Sequence, residues 1–366
     1  MPPQAQPLKQ ISFPHFRLWT RPERLVRKLL TLNIELTARC NNNCRHCYIN
    51  RPVNDKAAQD AELSAREILD IADQAVRMGC LWCLLTGGEP LLRDDFERIY
   101  RGLKQRGLLV SVFTNATLIS DAHVDLWRQY PPRNLEISVY GVTQAGYERV
   151  TRQPGSFARF QAGLKRLWDA GLKPNLKSVV MKSNLVEFPQ IEKFCQKYSH
   201  APFRFDMQLH LRYDGNSLRN SQIKAERLEP RTIALLSSNH AFPPDNGQRT
   251  CWPIPGEPRN GLFQCGCGLN ECTIGSDGQA RLCSSLVAPI ATTDLRRHTI
   301  EYFWENFVPQ VRCIDSDDGA VCSHCEFLPL CQHCPALTYL EIGRFYGPVN
   351  RFCQEAKARA GKVNNF

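Results

Sequence analysis

The chain has no long hydrophobic run. No stretch of about 18 apolar residues occurs in it, which excludes an ordinary membrane-spanning helix and removes the membrane from its expected partners. The N-terminus, MPPQAQPLKQISFPHF, lacks the charged-then-apolar layout of a secretory signal, so a cytoplasmic protein is expected. Basic blocks are missing too. The formal charge is +10, yet Lys and Arg are scattered and no stretch resembles a nucleic-acid module, so nucleic acid is not an expected partner. There is no internal repeat and no low-complexity tract. What is abundant is cysteine: 17 in 366 residues, eleven of them from Cys251 onward. In a long chain without a secretory signal, thiols in that number argue for metal sites over disulfides, because the cytosol keeps them reduced.

An apolar content of 43% and this length suit one large domain or two ordinary ones. Residues 1–30 form a Pro-containing, basic extension that ends in a short amphipathic piece, 21–30. From Leu32 the pattern alternates strand and helix, which predicts parallel strands with crossover helices. Strands are expected at 32–36, 81–86, 108–113, 135–139, 176–180 and 203–209. Helices are expected at 64–79, 93–106, from Asp121, at 156–170 and at 187–198, with 50–61 as a polar loop. Residues 211–250 read as a polar bridge with a short helix at 230–236. From Cys251 the alternation stops, so 251–366 reads as a small cysteine-rich domain. Six strand–helix units over 31–210 fall short of a closed barrel and predict an open, partial (β/α)6 barrel, with its site at the C-terminal ends of the strands.

The chemistry-bearing residues fall at those ends. Cys40, Cys44 and Cys47 stand as C-x3-C-x2-C directly after the first strand. Three thiolates on one loop point to a shared soft-metal centre. Zinc wants a fourth protein ligand, for which the loop offers only His46, so an iron–sulfur cubane with one open iron suits the set better. Gly87-Gly88-Glu89-Pro90 ends the second strand; the glycines let backbone approach a ligand, while Glu89 and Pro90 fix the turn. Thr114 and Asn115 end the third strand, and Ser138 lies in the fourth. Farther on, Cys265, Gly278 and Cys283 fit C-x12-G-x4-C, and Cys322, Cys325, Cys331 and Cys334 fit C-x2-C-x5-C-x2-C, with Cys353 beyond. Taken alone, such paired knuckles suit structural zinc as well as clusters.

Together these motifs resemble the radical S-adenosylmethionine (radical SAM) enzymes that carry a C-terminal SPASM domain, and the resemblance covers nearly the whole chain. It implies a [4Fe-4S] cluster on Cys40, Cys44 and Cys47 whose open iron takes the methionine moiety of S-adenosylmethionine and cleaves it reductively to a 5′-deoxyadenosyl radical. It assigns the Gly87–Pro90 turn to the methionine amine, His46 to the adenine, Arg152 to the methionine carboxylate and Ser138 to the ribose or carboxylate, with Asn115 beside them. It also implies two auxiliary clusters, the first on Cys265, Cys283 and Cys334 with Cys251 as candidate fourth ligand, the second on Cys322, Cys325, Cys331 and Cys353. One departure stands out: the last gap, Gln332-His333, is two residues where the family has three. Cys80, Cys83, Cys195, Cys267, Cys272 and Cys313 stay unassigned. Cys80 and Cys195 read as packing residues, and Cys267 and Cys272 as alternative ligands near Cys265. Asp206, His210 and Asp214 are candidates to line the cavity.

The activity implied is oxidative modification of a ribosomally made peptide or protein by crosslink, unsaturation or side-chain oxidation. The alternatives are a small-molecule radical enzyme acting on a tetrapyrrole precursor, cofactor or sugar, and a non-catalytic metal-binding interaction protein. Reduced flavodoxin or ferredoxin is the expected electron donor. No leader-peptide-binding domain is recognisable, so a peptide substrate calls for a separate leader-binding protein. Anaerobically purified protein should carry about twelve irons with matching sulfide by metal and sulfide analysis; zinc without sulfide would refute this reading.

Overall fold

The computed structural model describes residues 27–239, 262–263, 265–314, 322, 324–331 and 333–363. Most of the N-terminal extension, and Cys251 with the end of the bridge, lie outside the described residues. Six parallel strands are present where alternation predicts them: β1 (Thr31–Thr37), β2 (Trp82–Gly87), β3 (Leu109–Thr114), β4 (Asn134–Ser138), β5 (Asn175–Val179) and the short β6 (Arg204–Asp206). Between and after them run α1 (Lys56–Ala61), α2 (Ala65–Arg77), α3 (Phe96–Gln105), α4 (Asp121–Gln129), α5 (Gln144–Thr151), α6 (Ser156–Asp169), α7 (Phe188–Tyr198), α8 (Ser217–Glu226) and α9 (Pro230–Asn239). The α/β class with a parallel core is therefore as expected.

The local logic is visible in α2. Ser64 caps it and forms a capping box with Glu67, while Ile68, Ile71, Ala72 and Ala75 present one buried face. Three of these helices are not legible in the sequence: α8, inside the stretch read as a polar bridge, α1 and α5. α1 falls in the stretch read as a polar loop and starts at Asp55, whose side chain accepts from the Ala58 amide. α5 is short and contains Gly146, which weakens helix propensity. A Cβ there would strike the Glu187 carboxylate, which accepts from Val142 N, Thr143 N and Thr143 Oγ1.

The sheet also continues past β1. β7 (Glu271–Ile274) pairs in parallel with β1, and β8 (Gln279–Arg281) and β9 (Thr292–Asp294) follow antiparallel, giving the order β6-β5-β4-β3-β2-β1-β7-β8-β9. The Asp277-Gly278 turn between β7 and β8 is an ordinary hairpin signal, with Gly278 at φ 84°. Read only as cluster-motif spacing, it concealed two strands. Beyond the hairpin lie α10 (Ile300–Tyr302), α11 (Val308–Arg312), α12 (Pro335–Ile342) and α13 (Asn350–Val363).

β1 is thus a central strand, with Leu32, Ile34 and Leu36 all buried. Its Glu35 is buried as well and forms an ion pair with Arg281 at the end of β8. Burial pushes the Glu35 carboxyl up, and the guanidinium opposes the shift. Replacing Glu35 by Ala would leave Arg281 buried and unpaired, and should lower stability by about 3–5 kcal/mol in denaturant unfolding.

Candidate active site

The cysteine loop leaves β1 and is bonded to the rest of the fold on three sides. At its base Cys40 N donates to Arg51 O (2.9 Å) and Arg51 N to Ala38 O (2.8 Å). On a second side, Asn43 N donates to Thr151 O (2.9 Å), Arg45 N to Val150 O (3.0 Å) and Arg45 Nε to Arg149 O (2.7 Å). Those carbonyls end α5 and have no partner within the helix, so the loop satisfies them. On the third, Arg219 of α8 donates to Cys44 O at 3.0 Å. Behind the loop, Arg39 pairs with Glu62 (2.8 Å), and Arg93 donates to Leu36 O (3.0 Å) and Leu63 O (2.9 Å).

Cys44 is buried and Cys40 and Cys47 half-buried. Burial pushes the Cys40 and Cys44 thiols well up, Glu89 adds to the shift at Cys40, and the neighbouring thiols add to both. Cys40 and Cys44, raised in this way, ionise readily only with a cation beside them. Cys40 Sγ accepts from Asn42 N at 3.4 Å and faces Asn115 Nδ2 at 3.8 Å. Asn115 also donates to Asn41 Oδ1 at 2.9 Å, which joins the end of β3 to the loop.

The glycine turn lies against the same loop. Gly88 N donates to Thr37 O (2.6 Å) and Glu89 N to Arg39 O (2.9 Å). A Cβ on Gly88 would come within 2.2 Å of Arg39 O, so only glycine permits the approach. Glu89 is fully buried and accepts from Leu91 N (3.1 Å), Thr114 Oγ1 (2.7 Å) and Asn115 N (2.8 Å). Burial still pushes its pKa up to about 7. Its side chain braces the ends of β2 and β3.

His46 lies 5.2 Å from the Tyr140 ring, and burial lowers its pKa to about 4. Ser138 closes β4, and its hydroxyl meets that of Tyr140. Arg152 caps α5 in the left-handed region at φ 52° and donates to Asn43 O (2.8 Å), Asn43 Oδ1 (2.9 Å) and Gln222 Oε1 (3.1 Å). It lines an open cleft of about 980 Å³ together with Cys40, Arg51, Arg159, Arg212 and Arg219. Asp55 pairs with Arg51 (2.8 Å) and Asp214 with Arg212 (2.6 Å), leaving the cleft positive. Asp206 ends β6. His210 meets Ser285 Oγ at 3.1 Å and lies 5.6 Å from the Tyr48 ring, where burial lowers its pKa.

Eight of the ten described C-terminal cysteines form two groups. Cys265 Sγ is 3.2 Å from Cys267 Sγ; Cys267 feels the charge of Cys283, and Cys283 that of Cys334. Arg312 donates to the carbonyls of Cys265, Cys267 and Phe263. Cys322 is pushed up by burial and by Cys353, Cys331 and Cys325. All 16 described cysteines are free thiols. Cys272 is not with Cys265: it sits on β7 opposite Leu32, in the core with Cys80 and Cys83, because strand alternation turns it inward.

Do these residues suit the centre that the loop suggests? Asn42 Nδ2 and Oδ1, His46 Nδ1 and Tyr147 Oη are buried with no protein hydrogen-bond partner. Each such atom costs about 1–3 kcal/mol. Four on or beside the loop that carries three thiols mark a place for a polar, anion-bearing group, and an iron–sulfur cluster with a polar ligand fits it. Tyr140, Tyr147 and Arg219 escape a reading by motif, since they come from separate elements; a tyrosine just past the fourth strand was the one available signal.

Residues 34–195 match the Radical SAM superfamily and form a radical SAM domain. A domain of this family implies a [4Fe-4S] cluster and S-adenosylmethionine. Among relatives, an AdoMet-dependent heme synthase of Methanosarcina barkeri is 25% identical over 345 residues, 85% of this chain and 92% of that protein. A PqqA peptide cyclase of Gluconobacter oxydans is 25% identical over 209 residues, 56% of this chain and 57% of that protein. In fold, the chain resembles Streptococcus suis SuiB bound to precursor peptide SuiA, with a TM-score of 0.67 at 15% identity over 93% of this chain and 79% of that one. No described helix is long and apolar enough to cross a membrane.

His46 gives the site a pH signature. Its folded-state pKa lies below the ordinary value, so the unfolded chain binds more protons between about pH 4 and 6.5, and acidification through that window destabilises the native state. Relative to His46→Phe, the cluster-free wild type should lose about 3 kcal/mol over this range in urea unfolding at stepped pH.

Proposed function

We propose that this chain is a radical SAM enzyme that oxidatively modifies a ribosomally made peptide or protein. The observation that carries the reading is the cleft. At about 980 Å³ it opens directly beside Cys40, so an extended chain has room to reach the radical centre. The fold it shares with peptide-bound SuiB and the identity with a PqqA peptide cyclase support the same reading.

In this proposal Cys40, Cys44 and Cys47 hold the cluster, and Gly87–Pro90, His46, Asn115, Ser138 and Arg152 hold S-adenosylmethionine. When bound, the cluster supplies the electron that cleaves S-adenosylmethionine to methionine and a 5′-deoxyadenosyl radical, which takes hydrogen from substrate. The chain's own part is to position and to exclude water. The turn at Gly88 keeps backbone close to the loop, and Glu89, taking Leu91 N, Thr114 Oγ1 and Asn115 N, fixes the turn. Arg152 is anchored on Asn43 and so moves with the cysteine loop. Cys265, Cys283 and Cys334, with Cys322, Cys325, Cys331 and Cys353, make up a SPASM-type domain for two auxiliary clusters, which would accept the electron left on substrate. A reduced flavodoxin or ferredoxin is the donor, and a separate protein presents the leader.

A second reading has its own observation. A relative matched over most of both chains is an AdoMet-dependent heme synthase, and the arginines of the cleft suit carboxylate side chains. Replacing Cys40, Cys44 and Cys47 together by Ala should abolish dithionite-dependent 5′-deoxyadenosine formation while auxiliary iron is retained; full cleavage in that variant would refute the assignment. For the substrate, the protein is incubated with short peptides encoded beside its gene and, separately, with carboxylated tetrapyrroles. A peptide product differing only in hydrogen or oxygen content supports the proposal, whereas loss of carbon dioxide from a tetrapyrrole selects the second reading.

A further inference from the structure

We infer that the Tyr147 hydroxyl donates a hydrogen bond to a sulfur of the cluster held by Cys40, Cys44 and Cys47, and so raises that cluster's reduction potential. The inference rests on the cluster assignment above.

Tyr147 is fully buried on α5, and its Oη has no hydrogen-bond partner among the described residues. The ring cannot swing away to find one. It stacks on Phe160 at 4.7 Å and contacts Phe157 at 5.6 Å and Tyr140 at 5.9 Å. The helix that carries it is equally fixed. Gly146 lies against the Glu187 carboxylate at one end, and the carbonyls of Arg149, Val150 and Thr151 hold the cysteine loop at the other.

The hydroxyl faces acidic groups. After burial, Cys44, then Glu89 and then Cys40 push it well above the usual tyrosine range. Glu89 takes three other donors and does not accept from the Tyr147 hydroxyl, which leaves the sulfur side of the loop as the acceptor. Cys44 is also the thiol that Tyr140 reaches, so two phenols approach one end of the centre. Hydrogen bonds to cluster sulfur favour the more negative, reduced form, and the second shell around a metal centre sets its potential in this way.

The test is an anaerobic redox titration followed by EPR on full-length Tyr147→Phe and wild type, with and without S-adenosylmethionine. The signal that responds to S-adenosylmethionine identifies the loop's cluster. Phenylalanine keeps the ring packing, and iron, sulfide and thermal midpoint are measured on each sample. The expected result is a more negative midpoint potential in Y147F, already present without S-adenosylmethionine, at unchanged iron and sulfide. An unchanged potential at full iron content overturns the inference. Loss of the loop's iron from a still-folded variant also overturns it, because Tyr147 would then support the loop instead of tuning the cluster. So does a shift that needs S-adenosylmethionine and comes with weakened binding of it, since the hydroxyl would then serve that ligand's carboxylate. A wild type without any S-adenosylmethionine-responsive signal would instead overturn the cluster assignment beneath.

Discussion

A thiolate is costly to bury, and this molecule holds three cysteines on one loop where burial and neighbouring charge keep Cys40 and Cys44 from ionising alone. Much of the surrounding architecture follows from holding them there. The loop's amides take carbonyls at the end of α5, its base is clamped on Arg51, and Arg219 fastens the Cys44 carbonyl. Each bond is modest, but together they set the loop's shape before any metal is bound, so a cluster need not pay for ordering it. The unpartnered atoms of Asn42, His46 and Tyr147 are the counterpart of that rigidity. They persist because the fold overdetermines their positions.

The central position of β1 links this loop to the C-terminal region. Parallel pairing with β2 on one side and β7 on the other buries both faces of the strand that launches the loop. The Glu35–Arg281 pair adds a buried polar tie from β1 to the hairpin that precedes Cys283. The candidate auxiliary region is therefore continuous with the sheet and shares its central strand. Any change that loosens the hairpin acts directly on the strand beneath the cysteine loop.

Charge around the cleft carries a different lesson. Arg51 and Arg212 have carboxylate partners, whereas Arg152 and Arg219 bond neutral oxygens of the loop and of Gln222. These guanidinium groups hold backbone while keeping their charge beside the opening. One set of side chains thus shapes the loop and favours anionic groups entering next to it.

The sequence by itself determined the resemblance to radical SAM enzymes, the alternating α/β pattern and the grouping of three thiols on one loop. Those depend on local spacing: hydrophobic runs of strand length, three thiols on one loop, and glycines where backbone must come close. It also read α2 correctly, because a capping box and an apolar face lie within one segment. Tertiary structure decided what spacing does not encode. Gly146 argues against α5 until Glu187 is seen to occupy the space where a side chain would stand. The Asp277-Gly278 turn became a hairpin only when β1 supplied an edge for β7 to join. Cys272 left the ligand set because strand alternation turns it into the core. Tyr147 entered the site because a helix more than a hundred residues from β1 ends against its loop. Ligand types follow local sequence because thiol chemistry belongs to the residue; their neighbours do not, because proximity belongs to the fold.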